Sequence, residues 1–85
     1  MLESGQQYYC STERDVDLLM TLFEKNQYKW CSGKNPRAIY QDSPIIYYIE
    51  NERAFHCSYP PFKKDIEESI HVDKIRNKII SELRR

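Results

Sequence analysis

The chain has 85 residues and a mass of 10.3 kDa, and its thirteen basic residues are balanced by thirteen acidic ones. This length leaves room for one domain at most, and zero net charge gives no overall attraction to nucleic acid or to a membrane surface. No apolar run approaches the roughly 18 residues that span a bilayer, and the N-terminus lacks the basic and apolar regions of a signal peptide. We therefore expect a cytoplasmic protein that does not interact with membranes.

The first third of the chain predicts a strand, a helix and a second strand. The aromatic segment 6–11 is typical of a strand. Apolar residues at positions 16, 19, 20 and 23 share one helical face and predict a helix over 13–25, with Ser11 or Thr12 as its N-cap. The alternating segment 28–31 predicts the second strand, which ends at the turn-forming residues 32–36.

The second half predicts a hairpin followed by two helices. Segment 45–49 consists entirely of β-branched or aromatic residues, and segment 54–59 returns as its hairpin partner. Beyond the two prolines, apolar positions 66 and 70 mark one helical face, whereas 72, 75, 79 and 83 mark another. We therefore expect a short helix over 62–69, a break at 71–73 and a second helix over 74–84.

The resulting order, β-α-β-β-β-α-α, predicts an α+β fold with a small antiparallel sheet, one packed helix and a C-terminal helical segment. Residues 1–60 would form the core, and residues 61–85 would extend the same single domain. The strand at 45–49 is apolar on both sides, so both faces of the sheet need cover. The C-terminal helices or a second copy of the chain can supply it.

The stretch from Lys25 to Gln41 contains no acidic residue and carries four basic ones. It interleaves cations with aromatic rings and includes a small-residue turn whose backbone N–H groups can face an anion. The turn is not a P-loop, since the upstream glycine and the downstream hydroxyl are absent. The alternative is a solvated turn with its tryptophan in the core. The candidate binding residues are Lys29, Trp30, Ser32, Gly33, Lys34 and Arg37.

The cysteines and histidines give no pattern typical of a metal or catalytic centre. Cys10, Cys31 and Cys57 are odd in number and have no C-x-x-C spacing, which argues against a disulfide framework or a zinc site. His56 and Cys57 are adjacent on a predicted strand and point to opposite faces, so they cannot form a nucleophile–base pair. We expect no enzymatic activity, no metal and no cofactor.

The C-terminal helix carries an isoleucine-rich stripe whose direction differs from that of the preceding helical face. An outward stripe of this kind needs a partner, and two-fold self-association is the commonest solution. The sequence therefore predicts a homodimer, and the alternative is that the helix packs on its own sheet. The expected interface residues are Ile75, Ile79 and Leu83.

A longer pattern spans the helix, the turn and the hairpin. A helix is followed by YKWCSGKNP at 28–36, then by IIYYIEN at 45–51 and AFHCS at 54–58. This arrangement over residues 13–59 resembles small proteins of phages and prophages of Gram-positive bacteria, which read as a helix, then G-Y-x-W-x-S-G-x-x-P, then I-Y-x-x-x-N-x-x-I-x-Y-S. Here Asn26-Gln27 replaces the glycine before the aromatic residue, and the extension over 60–85 lies outside the pattern.

The resemblance implies an accessory phage protein and supplies no catalytic residues. We therefore expect a non-catalytic protein that acts by binding in the cytoplasm of a host bacterium. Its most concrete form is an inhibitor of a host defence system, which blocks a nuclease such as a CRISPR effector or sequesters a nucleotide signal. The alternative is a small regulator that binds nucleic acid through residues 25–40. The expected partner is a host protein, or a nucleotide or nucleic acid at the basic stretch.

Overall fold

The computed structural model describes residues 2–39, 42–51 and 53–85, and within these ranges it contains five strands and three α-helices. This architecture confirms the α+β class expected from the sequence. The strands are β1 (Gln7–Cys10), β2 (Lys29–Trp30), β3 (Ile45–Asn51), β4 (Ala54–Ser58) and β5 (Ile70–His71). The helices are α1 (Glu13–Lys25), α2 (Lys63–Glu68) and α3 (Arg76–Leu83), and short 3-10 turns lie at Pro36–Ala38 and Val72–Lys74.

The sheet is mixed, with the strand order β2-β4-β3-β1-β5. The central strand β3 is antiparallel to both β1 and β4, as the sequence predicts. The two outer strands, β2 and β5, pair in parallel with β4 and β1, so the expectation of an antiparallel sheet holds only for the three central strands. The hairpin β3–β4 therefore lies between β1 and β2 in the sheet. Along the chain, α1 connects β1 to β2. Strand β5 was not predicted, because two residues are too few to show the alternation of apolar and polar positions that indicates a strand.

An aromatic cluster forms the centre of the core between the sheet and α1. The ring of Phe55 on β4 stacks on Phe23 of α1, with 4.2 Å between ring centroids, and lies 4.6 Å from the ring of Trp30. Tyr47 of β3 meets the same ring edge-on at 6.0 Å. Rings from the helix and from three neighbouring strands thus share one buried volume, which fixes the helix on the sheet.

The C-terminal segment contributes to the same core. Val72 and Ile79 are fully buried, and Ile75 and Leu83 pack against the core cluster. Helix α3 lies beside α1 on the same face of the sheet. Of the three expected interface residues, Ile79 is therefore turned inward and presents no surface to a second copy of the chain, whereas Ile75 and Leu83 are half-buried.

The opposite face of the sheet is partly covered by α2. Gln7 donates a hydrogen bond to the backbone carbonyl of Asp65 at 3.3 Å, and the imidazole Nε2 of His71 lies 3.0 Å from the carbonyl oxygen of Ile66. Beneath these contacts Ile46 is fully buried. This cover explains why β3 is apolar on both sides.

Both ends of α1 are fixed locally. The hydroxyl of Thr12 accepts a hydrogen bond from the backbone N–H of Asp15, so Thr12 is the N-cap, as predicted. At the other end Gln27 adopts the left-handed conformation with φ 62°, and the N–H of Tyr28 donates to the carbonyl of Phe23 at 2.8 Å. The residue that reverses the chain is therefore Gln27.

An ion pair between a fully buried carboxylate and a partly exposed arginine joins α1 to α3. The carboxylate of Asp15 is fully buried and accepts hydrogen bonds from two guanidinium nitrogens of Arg76, Nε at 2.6 Å and Nη2 at 3.1 Å. This side-chain hydrogen bonding raises the pKa of Arg76. A buried carboxylate needs such a counter-ion, because leaving it unpaired in the interior costs far more than the pair itself contributes.

We expect Arg76→Leu to lower the free energy of unfolding, because it leaves the Asp15 carboxylate buried without a counter-ion. The matched control Arg14→Leu removes an exposed arginine from α1 and should change stability by no more than about 0.5 kcal/mol. The double variant Asp15→Leu/Arg76→Leu should recover part of the loss in urea unfolding. Equal stability of Arg76→Leu and Arg14→Leu would contradict a structural role for the pair.

Candidate binding turn

The candidate residues from the sequence lie on one turn between β2 and the 3-10 turn, here named the basic turn and defined as residues 29–37. Its two anchors, Trp30 and Pro36, are buried, while the segment 31–35 between them is exposed. Trp30 therefore lies in the core, as it does in the alternative interpretation of the sequence, a solvated turn with a buried tryptophan. The outer residues remain available to a partner.

Four hydrogen bonds hold the basic turn from within. The backbone N–H of Trp30 donates to the carbonyl of Lys34 at 2.9 Å, and the N–H of Gly33 donates to the carbonyl of Trp30 at 2.7 Å. The indole N–H of Trp30 donates to the carbonyl of Pro36 at 2.9 Å, and the Lys29 ammonium donates to Oδ1 of Asn35 at 2.6 Å. The tip requires a φ of +90° at Gly33, which glycine adopts without steric cost.

Arg37 points away from the exposed tip and binds α1. Its guanidinium donates to the carboxylates of Asp17 and Glu24, each at 2.8 Å, and to the hydroxyl of Thr21 at 2.6 Å. The hydrogen bonds to Glu24 and then to Asp17 raise the pKa of Arg37. The three partners lie at i, i+4 and i+7, so the sequence already contained a polar stripe on α1 that a nearby cation could bind.

The positive charge at the basic turn is therefore smaller than the sequence suggested. The Arg37 charge is offset by two carboxylates. Lys25 is directed to the end of α3, where its ammonium donates to the backbone carbonyls of Glu82 and Arg85. The cations left on the exposed face are Lys29 and Lys34, which flank the backbone of Ser32 and Gly33.

A shallow groove of about 550 Å³ lies beside the basic turn, at the C-terminal end of α1. Its polar lining residues are Lys29, Asn35, Glu24 and Gln27. The groove thus combines an amide, a cation and a carboxylate, which suits a polar peptide or side chain better than an apolar ligand.

The three cysteines differ in environment and do not approach each other as a metal centre. Cys31 is exposed on the basic turn, Cys57 is half-buried and Cys10 is fully buried. Burial raises the pKa of both Cys10 and Cys57. Within the described ranges, no group of three or more His, Cys, Asp or Glu residues is placed to hold a metal ion.

One exposed feature escaped the sequence analysis. Tyr59 is 52% exposed and Phe62 is 73% exposed, and they flank the two prolines that connect β4 to α2. The sequence indicated only that Pro60-Pro61 ends the sheet. An aromatic residue on each side of a proline pair was the available signal in the sequence.

Comparison with protein-family models, with curated proteins and with solved structures finds no match to this chain. Among the described helices, none is long and apolar enough to cross a membrane; the longest is α1, with 13 residues. Because no known protein matches, the role of the basic turn is inferred from its own geometry.

We expect Trp30→Phe to preserve most of the contact with Phe55 but to leave the carbonyl of Pro36 without its indole donor. The loss of one buried hydrogen bond should reduce the free energy of unfolding by about 1 kcal/mol, or ~4–8 °C in melting temperature for a domain of this size. Differential scanning calorimetry measures the change. An unchanged melting temperature would mean that the indole N–H does not hold the turn.

Proposed function

We propose that this protein acts by binding, without catalysis, and that the exposed tip of the basic turn contacts an acidic surface of a host protein. The observation that carries the proposal is the internal bracing of this tip by buried Trp30 and Pro36. A loop that is already fixed in its bound shape loses little conformational entropy on association, so more of the contact energy appears as affinity. Lys29 and Lys34 would orient the protein on a negatively charged partner.

The biological context of the proposal comes from the resemblance of residues 13–59 to small phage and prophage proteins. We propose a phage accessory protein that inhibits a host defence system, with a nuclease effector as the protein partner. The action would take place in the cytoplasm of the host bacterium. An inhibitor of this kind needs a stable, pre-formed contact surface, and this requirement agrees with the bracing of the turn.

The pairing of Arg37 favours a protein partner over nucleic acid. Binding to nucleic acid depends on the number of phosphates that cations neutralise, and its affinity falls with salt in proportion to that number. With Arg37 held by Asp17 and Glu24, the exposed face offers two lysines. Two contacts support only weak binding to phosphates, whereas they are sufficient to steer a protein to a complementary surface.

The proposal is tested with the double variant Lys29→Ala/Lys34→Ala and the matched control Lys63→Ala/Lys64→Ala, which removes two exposed lysines from α2. Each tagged protein is incubated with lysate of a Gram-positive host, and retained proteins are identified by mass spectrometry. The wild type and the control should retain the same host protein, and the turn variant should retain at least tenfold less of it. All three should melt within a few degrees of each other, since exposed changes alter stability little.

Two outcomes contradict the proposal. Equal retention by the turn variant would exclude the basic turn as the contact surface. Binding to DNA or RNA with a steep salt dependence, lost in the turn variant, would instead establish the nucleic-acid regulator. Gel-shift titrations at two salt concentrations distinguish this second case from a protein target.

Self-association belongs to the same proposal and stays a prediction. Because Ile79 is buried and Ile75 and Leu83 are half-buried, the most exposed large apolar side chains among the described residues, Tyr59 and Phe62, offer a second copy a better contact surface. We expect light scattering at micromolar concentration to give twice the chain mass of 10.3 kDa, and Tyr59→Ser/Phe62→Ser to give the single mass. A wild-type protein with the mass of one chain would refute the dimer.

A further inference from the structure

The groove beside the basic turn is rich in hydrogen-bond donors. The side-chain amides of Gln27 and Asn35 line it, together with the ammonium group of Lys29. All three residues are exposed, so a partner that enters the groove can reach these groups. Gln27 follows α1 and Asn35 precedes the 3-10 turn, so two separate turns of the chain contribute donors to one groove.

The orientation of both amides is determined by the cations that they contact. The Lys29 ammonium donates to the side-chain oxygen of Asn35 at 2.6 Å, and the guanidinium Nη1 of Arg53 donates to the side-chain oxygen of Gln27 at 3.2 Å. Ammonium and guanidinium groups only donate, so the amide atom that faces each of them is the oxygen and not the nitrogen. Both amide oxygens are therefore already used inside the protein.

The NH₂ groups of the same two amides are left for a ligand. Neither donates a hydrogen bond to any of the described residues, since the contacts of Asn35 and Gln27 in the groove are made by their oxygens. The Lys29 ammonium carries three N–H bonds, of which one points to Asn35. Unused donors match a ligand group that only accepts, and an ionised carboxylate is the protein side chain with that property.

The backbone holds these donors in place. Gln27 has the left-handed φ of 62° in the reversal after α1. The carbonyl of Asn35 accepts a hydrogen bond from the N–H of Ala38 at 3.0 Å, and the N–H of Lys29 donates to the carbonyl of Arg53 at 2.9 Å. Donors that are fixed before association lose little conformational entropy when a ligand binds, so more of the contact energy appears as affinity.

The charges around the groove attract an anion only weakly. Glu24 lines the groove, but its carboxylate is bound to Arg37, which also binds Asp17. Lys29 and Arg53 add two cations, and their described partners are the neutral amides. Positive side chains thus exceed negative ones by one in this network. Discrimination between an anion and a neutral ligand therefore depends mainly on the hydrogen-bond donors.

We propose that this groove binds an acidic segment of the protein partner through the carboxylate of an aspartate or glutamate. The carboxylate pairs with the NH₂ group of Asn35 and with the Lys29 ammonium, which are neighbours in the structure. The NH₂ group of Gln27 donates to a second acceptor of the same segment. The inference rests on the proposed function and deepens it, because it names the chemical group that the basic turn recognises on its partner.

Three probes test this chemistry without a host protein: acetyl-hexaglutamate amide, its neutral isostere acetyl-hexaglutamine amide, and a thymidine hexanucleotide that presents phosphates. Each is titrated to about 10 mM, which detects a Kd near ~1 mM. Binding is followed by ¹H–¹⁵N NMR, which resolves side-chain NH₂ signals. The glutamate peptide should shift the NH₂ signals of Asn35 and Gln27 saturably and bind at least tenfold more tightly than the other two probes. Equal binding of the glutamine peptide or of the nucleotide would overturn the assignment to a carboxylate.

The variant Asn35→Asp removes the donor and keeps the internal contact. One carboxylate oxygen takes the place of the NH₂ group, and the other still accepts from Lys29. The control Ala38→Asp adds the same charge to an exposed residue three positions away that is not among the described lining residues. Asn35→Asp should weaken binding of the glutamate peptide at least tenfold, and Ala38→Asp less than threefold. Equal weakening by both variants would mean that only net charge matters and would overturn the proposal.

Retention of the host protein separates this inference from the proposed function. Loss of retention in Lys29→Ala/Lys34→Ala and also in Asn35→Asp supports both. Loss of retention in the lysine variant alone leaves the basic turn as the contact surface and overturns the carboxylate site. Unchanged retention in both variants, with the glutamate peptide still bound through Asn35, contradicts the proposed function and leaves the groove as a carboxylate site.

Discussion

The packing of the Trp30 indole on Phe55 and its hydrogen bond to the carbonyl of Pro36 connect the core to the basic turn and to the groove beside it. This indole fixes the two ends of the exposed segment 31–35. Pro36, which accepts its hydrogen bond, is buried and lines the groove. Burial of one large side chain thus positions an exposed tip and a groove that belong to the same proposed binding surface.

The acidic residues of helix α1 decide which basic side chains are held in ion pairs and which are not. Its acidic residues bind two arginines: the buried carboxylate of Asp15 binds the partly exposed Arg76, and Asp17 and Glu24 bind Arg37 at the surface. These ion pairs attach α3 and the segment after Pro36 to α1. Lys29 and Lys34 are not bound to a carboxylate in these pairs, and this is why the proposal assigns recognition to them.

The elements with long, regular apolar patterns were predictable from the sequence, and the short ones were not. The helix over 13–25, the hairpin of β3 and β4 and the break near position 71 followed from periodicity and from a change of helical phase. Strand β5 and the 3-10 turn at Pro36–Ala38 are too short to carry a pattern. The burial of Ile79 depends on which way α3 turns, and the hydrogen bond between Arg53 and Gln27 depends on contacts between elements distant in sequence, so neither has a local signal.

The central claim is that the segment 31–35 is already rigid in the free protein, although every residue in it is exposed. Backbone ¹⁵N relaxation measures this property directly. The account predicts order parameters near the ~0.85 of rigid backbone for the amides of Cys31, Gly33 and Lys34, similar to those of β3. Values below ~0.6 for these amides, with rigid values retained in β3, would contradict it.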